Sequence, residues 1–282
     1  MEILRTRQEL RNYIKNQKRK GKTIGFVPTM GFLHEGHITL FKESVKKSDV
    51  SIASIFVNPT QFNNPEDFEK YPRNEEEDCK KAKEAGMDAV FIPTASEIYP
   101  EPKPQLEIRI PHLMKNLCAT TRPGHFEGVL LVISILFHLV EPDFVFFGKK
   151  DFQQYLIIAE YARSLMFSLE VIPVDTVREE DGLAMSSRNA RLSEQERKEA
   201  GLIPRAFKLA RGQYLKGERN AKLFREIVSE VLLSSPLIKI DYLEVLDSKT
   251  LEPVEEVNGD SILALAAFAG SVRLIDNMFF RS

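Results

Sequence analysis

Two imidazoles, His34 and His37, stand in the run Pro28-Thr29-Met30-Gly31-Phe32-Leu33-His34-Glu35-Gly36-His37 with only Glu35 and Gly36 between them. Histidines at this spacing suit several tasks. They can share a metal, although no cysteine or carboxylate-plus-histidine cluster completes a ligand set here. They can act as general acid and base, since imidazole titrates near neutrality. They can donate hydrogen bonds to the oxygens of a triphosphate as charge builds during reaction. Or they can simply cap a helix. Gly31 and Gly36 let a ligand approach the backbone closely.

The flanking residues say what must position these rings. Residues 23–27 are short, apolar and β-rich, the mark of a buried strand, and Leu40, Phe41 and Val45 put an apolar face on a helix over about 36–47. The histidines therefore occupy the loop from a first strand to a first helix. In an open α/β sheet ligands bind there, outside the carboxyl ends of the strands. A helix start with free N–H groups also attracts phosphate.

Other polar groups fall at equivalent places. A second strand, 50–57, runs into Asn58-Pro59-Thr60-Gln61-Phe62, where proline ends it. The amides of Asn58 and Gln61 suit a small hydroxylated acid, offering donors for a carboxylate and acceptors for hydroxyls. A fourth strand, 142–147, leads to Gly148-Lys149-Lys150-Asp151-Phe152-Gln153-Gln154 and a helix reaching about Ser164. Asp151 is placed as its N-cap, the Lys150 ammonium suits phosphate, and Gln154 can face the same pocket from the first turn. A fifth strand, 169–174, precedes the segment 177–189, in which Ser186, Ser187 and Arg188 combine hydroxyl donors with a planar cation suited to polyphosphate. Arg122 and His125, flanked by glycines before the apolar run 129–140, can meet phosphate or a partner subunit.

Between these lie a helix over 6–20, a charged helix over 75–85 ended by Gly86, a third strand at 89–92, and a proline-rich surface loop from 93 to 104 without regular structure. An alternating, half-exposed strand follows at 106–110. Repeated strand–helix alternation predicts an α/β fold: a doubly wound, parallel, Rossmann-like sheet over residues 1–176. From 177 the character changes to helices at 193–217 and 220–234 and strands at 241–246, 261–268 and 271–276, with Gly270 at a hairpin turn. This predicts a smaller α+β C-terminal domain, 177–282, covering the site.

Composition narrows the function classes. With 282 residues, 43% hydrophobic and 28% charged, the chain has the makeup of a globular protein with a large core. A net charge of −2 gives no general basic footprint for nucleic acid. The run 129–140 is far shorter than the roughly 20 residues of a membrane span. Cys79 and Cys118 make no disulfide framework, which favours a reducing compartment, and the N-terminus lacks the apolar core of a signal peptide, so a cytoplasmic location is expected.

The stretch Leu33-His34-Glu35-Gly36-His37 resembles the His-x-Gly-His signature of the nucleotidylyltransferase superfamily. The longer Pro-Thr-Met-Gly-x-Leu-His-x-Gly-His run is similar to that of the pantoate–β-alanine ligases. Asn-Pro-Thr-Gln-Phe, Arg-Pro-Gly-His-Phe, Gly-x-Lys-Asp-Phe-Gln-Gln and Met-Ser-Ser-Arg-Asn follow in the family's order. Two positions depart: Lys149 stands where an acidic residue is commoner, and Ala119 where glycine is expected in a mobile loop. The resemblance implies ATP-dependent condensation of pantoate with β-alanine through a pantoyl adenylate, with Mg²⁺ carried mainly on the ATP phosphates, in a homodimer. It assigns ATP to Met30, Gly31, Phe32, Leu33, His34, Glu35, Gly36, His37, Gly148, Lys149, Lys150, Asp151, Val177 (through its backbone), Met185, Ser186, Ser187 and Arg188. Pantoate falls to Gln61 and Gln154, and β-alanine to Gln61 and Asn58. His34, His37, Lys150 and Arg188 are the expected catalytic groups. Two other readings remain open on the residues: adenylyl transfer to a phosphate ester, and a nucleotide-binding module without catalysis.

Overall fold

The computed structural model describes residues 1–99 and 105–281. The chain divides into two compact units. The first comprises 1–114, 118–149 and 154–175; the second comprises 115–117, 150–153 and 176–282.

The first unit is built on a six-stranded sheet of β1 (Glu2–Leu4), β2 (Ile24–Thr29), β3 (Val50–Ile55), β4 (Ala89–Phe91), β5 (Phe144–Gly148) and β6 (Glu170–Val174), in the order β1-β4-β3-β2-β5-β6. Every pairing is parallel. The chain winds outward from β2 through β3 to β4, then returns to pair β5 on the other side of β2. The order thus reverses between β2 and β5, and open α/β sheets bind ligands at the carboxyl ends of strands flanking such a reversal. Val27, Ala53, Val90 and Phe146 share a core with Leu40, Phe41 and Ala82 of the Glu35–Lys47 and Glu75–Glu84 helices. Successive strand residues point to opposite faces. Phe26, Ile52 and Val145 are also fully buried, so the sheet is covered on both sides. At Gly25 a Cβ would fall on the Ser44 and Ser48 hydroxyls, so glycine here lets the Glu35–Lys47 helix lie close on β2.

Several local expectations are corrected. Residues 106–110 alternate but form no strand; Leu106 is exposed and Arg109 pairs with Glu107 and Glu127. Alternation without a partner edge does not make a strand. The loop expected from 93 to 104 contains a helical turn, Ala95–Ile98, and its last five residues, 100–104, lie outside the described residues. The apolar helix begins earlier than its hydrophobic run, at His125, and extends to Val140. Asp151 does not cap the next helix: a 3-10 turn, Lys149–Asp151, runs straight into Phe152–Ser164.

The second unit has an antiparallel sheet of β7 (Ile238–Asp247), β8 (Ser261–Ala269) and β9 (Val272–Phe279) in that order, turned at Gly270. The helix expected over 193–217 is two helices, Glu194–Ala200 and Leu202–Leu215, divided at Gly201. Ala206, Phe207, Phe224 and Val228 pack with Val245, Leu263 and Leu265 in this unit's own core.

Candidate active site

The loop after β2 is held from below by a buried carboxylate. Asp78, one turn into the Glu75–Glu84 helix and 2% exposed, accepts the backbone N–H of Phe32 (2.8 Å, Oδ2) and of Leu33 (2.7 Å, Oδ1). Lys81 donates to the Leu33 carbonyl at 2.9 Å. Gly31 and Phe32 are both left-handed, with φ of +81° and +51°. A Cβ on Gly31 would come within 2.9 Å of the Asp78 carboxylate and of Ile55. Burial raises the Asp78 carboxyl above its ordinary range, opposed by the two N–H bonds and by Lys81.

This clamp delivers the two histidines to the helix start. His34 is the N-cap; its Nδ1 accepts from the Gly36 N–H at 3.1 Å, while Nδ1 of His37 accepts from the His34 N–H at 3.3 Å. The rings lie 4.1 Å apart. A backbone N–H can only donate, so each Nδ1 is an acceptor and each ring carries its proton on Nε2. Capping and phosphate donation are therefore compatible: one ring nitrogen satisfies the helix, and the other is an N–H donor. Glu35 is exposed and pairs with Lys42 at 3.4 Å.

The loop after β3 forms a 3-10 turn, Pro59–Gln61, capped by Asn58. Asn58 is 1% exposed and Gln61 is 7% exposed. Asn58 donates to Gln61 Oε1 (2.9 Å) and to the Gly128 carbonyl (3.1 Å), and its Oδ1 accepts from Thr60 and Tyr99. Gln61 Nε2 lies 3.1 Å from Met30 Sδ. Arg122 and His125 do not stand apart from this turn: His125 Nδ1 donates to the Gln61 carbonyl at 2.9 Å, and Arg122 reaches the same oxygen at 3.4 Å. Ala119 lies within a short helix, Cys118–Thr121. Gly148 ends β5 beside Val174, Lys149 turns to Asp175 at 2.6 Å, and Gln154 sits half-buried in the first turn of the next helix.

The second unit carries the remaining groups. Asn277 donates to the Lys150 carbonyl at 3.0 Å, and the Lys150 ammonium is 3.5 Å from the Asp151 carboxylate. Residues 177–185 form a tight hairpin in which the Met185 N–H bonds the Val177 carbonyl at 3.0 Å. Ser186 caps the following turn, Ser187–Arg191, by accepting from the Arg188 N–H. The hairpin is braced by Arg178 on buried Asp276 (2.7 Å) and by Arg197 on Glu179 and Asp181. Burial raises the Asp276 carboxyl despite the Arg178 bonds that lower it.

Sequence reading missed Asp78 and Tyr99. Asp78 lies in an acidic run that reads as a solvated helix start, and its one clue is that Ala82, a turn later, is apolar. Tyr99 borders the proline-rich segment and carries no local signal.

The family model for pantoate-beta-alanine ligase matches residues 2–279. The chain belongs to that family. A pantothenate synthetase of Leptospira interrogans serogroup Icterohaemorrhagiae serovar Lai is 54% identical over 278 residues, covering 99% of this chain and 98% of that protein. The crystal structure of pantothenate synthetase from Thermus thermophilus superposes with a TM-score of 0.94 at 37% identity, covering 100% of both chains. That of a pantoate-beta-alanine ligase from Francisella tularensis, complexed with beta-gamma ATP and beta-alanine, has a TM-score of 0.81 at 31% identity, covering 100% of this chain and 98% of that one.

Proposed function

We propose that this enzyme condenses pantoate with β-alanine at the expense of ATP, giving pantothenate, AMP and pyrophosphate. The observation that carries the reading is the family match along nearly the whole chain. It is supported by the site: a clamped His-x-Gly-His helix start after β2. Nothing favours adenylyl transfer to a phosphate ester, whose acceptor would call for additional cations where this site has the Gln61 and Gln154 amides.

A carboxylate is a poor acyl donor because its oxygen is a poor leaving group. Attack of the pantoate carboxylate on the α-phosphorus forms a pantoyl adenylate and expels pyrophosphate. Negative charge then develops on the bridging oxygen and the leaving phosphates. The Nε2–H groups of His34 and His37 are the proposed donors to it, aided by Lys150, Ser186, Ser187 and Arg188. Residues 30–33, Glu35, Gly36, Gly148, Lys149, Asp151, Val177 and Met185 complete the proposed ATP contacts, and Gln61 and Gln154 orient pantoate. The unprotonated amine of β-alanine then attacks the acyl carbon and AMP departs. No enzyme nucleophile is required, and positioning alone can supply roughly 7–11 kcal/mol at the favourable extreme.

Among the described residues no three His, Cys, Asp or Glu side chains cluster as a metal cage. The resemblance implies Mg²⁺ carried mainly on the ATP phosphates, where it would neutralise phosphate charge. No helix among the described residues is long and apolar enough to cross a membrane. The resemblance supports a homodimer working in the cytoplasm, with residues 1–176 as the nucleotide- and pantoate-binding catalytic domain and 177–282 as the domain that covers it. Incubation with ATP, Mg²⁺ and pantoate, with and without β-alanine, tests the reading. AMP and pantothenate should appear only when both acids are present, and labelled pyrophosphate should exchange into ATP with pantoate alone. Absence of both products overturns it.

A further inference from the structure

We infer that Tyr99 and Asn58 are positioning residues that fix the polarity of Gln61, presenting its amide as a hydrogen-bond donor so that the acid substrate is read through an acceptor oxygen. The inference rests on the functional reading above and assigns Asn58 a role different from contact with β-alanine.

The polarity follows from groups whose roles are not open to choice. The Thr60 backbone N–H can only donate, and it points at Asn58 Oδ1 from 3.3 Å. The Gly128 backbone carbonyl can only accept, and it takes an Asn58 Nδ2 hydrogen at 3.1 Å. The Asn58 amide is thus oriented at both ends. Its second Nδ2 hydrogen goes to Gln61 at 2.9 Å, so the Gln61 atom it meets is the oxygen, and the other end of the Gln61 amide is NH₂. Among the described residues that NH₂ meets only the Met30 thioether at 3.1 Å, a weak acceptor that a carboxylate or hydroxyl oxygen outcompetes. Met30 belongs to the loop after β2, the loop that carries His34 and His37.

Tyr99 locks the arrangement from behind. Its hydroxyl donates to Asn58 Oδ1 at 2.8 Å and lies 3.2 Å from the Thr60 hydroxyl. Burial pushes its phenol up to about 12, so the O–H is intact across the neutral range. The main chain of Gln61 is held as well. Arg122, which can only donate, faces His125 Nε2 at 3.0 Å; the His125 proton is therefore on Nδ1, which donates to the Gln61 carbonyl at 2.9 Å. Asn58 has both amide hydrogens and its oxygen engaged inside the protein, leaving it no group for a substrate. A Gln61 amide pinned in this way fits an oxyacid whose nearest oxygen accepts, and disfavours an analogue offering an N–H there.

The test is steady-state kinetics and pantoate-dependent pyrophosphate exchange on the full chain. Tyr99→Phe removes one hydroxyl and no volume. It should raise the KM for pantoate about three- to tenfold, the worth of one buried hydrogen bond, and leave the KM for ATP within about twofold. Asn58→Asp keeps an acceptor for Tyr99 and Thr60 but removes the donor to Gln61. It should raise the pantoate KM by about tenfold or more, again with little change for ATP. A merely structural role would lower melting temperature and active fraction without moving one KM against the other. An unaltered protein that shows no exchange with pantoate sinks the functional reading and this inference with it. An active unaltered protein, with Tyr99→Phe leaving the pantoate KM within about twofold, overturns this inference alone; that variant decides even if Asn58→Asp fails to fold.

Discussion

Substituting Asp78→Asn exposes how the His-x-Gly-His loop is held. The carboxylate spends one oxygen on the Phe32 N–H and the other on the Leu33 N–H, at 2.8 and 2.7 Å, in a site 2% exposed. Asparagine has one acceptor, so one N–H loses its partner and faces an amide NH₂. A hydrogen bond to a charged group contributes about 1.5–3 kcal/mol. The bond lost also restrains Phe32, whose left-handed φ of +51° costs about 1–2 kcal/mol. Against this, the neutral amide escapes the burial cost that raises the carboxyl's pKa. A net loss of about 2 kcal/mol results, equivalent to a fall of roughly 4–8 °C in Tm for a unit of this size. Thermal unfolding measures the first effect. The second is kinetic: pantoate-dependent pyrophosphate exchange should fall by more than about tenfold, because rings displaced by an ångström lose alignment with the phosphates. An Asp78→Asn protein with wild-type Tm and wild-type exchange would refute the clamp. The sign with pH is also set. The folded pKa lies above the unfolded value, so the carboxyl's linked contribution is full below the unfolded pKa and disappears as pH rises through the folded one. The wild-type-minus-variant stability difference should decline over that window.

His37→Glu keeps an acceptor for the His34 N–H, as in an ordinary capping box, but puts a negative charge where phosphate is proposed to lie. Its Tm should stay close to wild type while exchange falls by about 10²-fold or more; retained exchange would return His37 to a capping role only. Gly128→Ala places a methyl on the Thr60 carbonyl and the Gln61 nitrogen, both backbone. Calorimetry should show a loss of about 1–3 kcal/mol, and the pantoate KM should rise; a neutral effect would mean this helix is not seated on the Asn58–Gln61 turn. Arg178→Ala leaves the Asp276 carboxylate buried without its cation. A destabilisation of about 3–5 kcal/mol is expected by denaturant unfolding, and less than about 1 kcal/mol would deny the pair its bracing role.

The parallel strands β2, β3, β4 and β5 were legible because strands buried on both faces appear as short apolar runs, such as 50–55 and 144–147. β1 was not: three residues at an edge leave no period to detect, and only pairing with β4 makes them a strand. Residues 106–110 failed in the opposite way, showing the period without an edge to pair with. The rim positions of His34, Gln61 and Gly148 followed from strand ends, a local property. Their orientation did not. The groups bonded behind them, Asp78 at Leu33 of the histidine loop and Tyr99 at Asn58 beside Gln61, lie 45 and 41 residues from their partners, and no local pattern encodes such a contact.

The second unit includes the tetrapeptide 150–153 and the tripeptide 115–117, although both lie in the first two-thirds of the chain. Lys150 is tied through its carbonyl to Asn277, Phe152 stacks edge-on against Phe279, and Gln153 donates to the Asn116 carbonyl. A fragment stopped at residue 175 would therefore lose partners for a stretch it still contains. Expressed alone, it should present Phe152 as a sticky, protease-sensitive site, and recombining it with a separately made 176–282 should restore protection there. Modularity in this chain follows three-dimensional adjacency, and gene fusions, split reporters or domain exchanges that cut once at the apparent boundary would divide one of its two folding units.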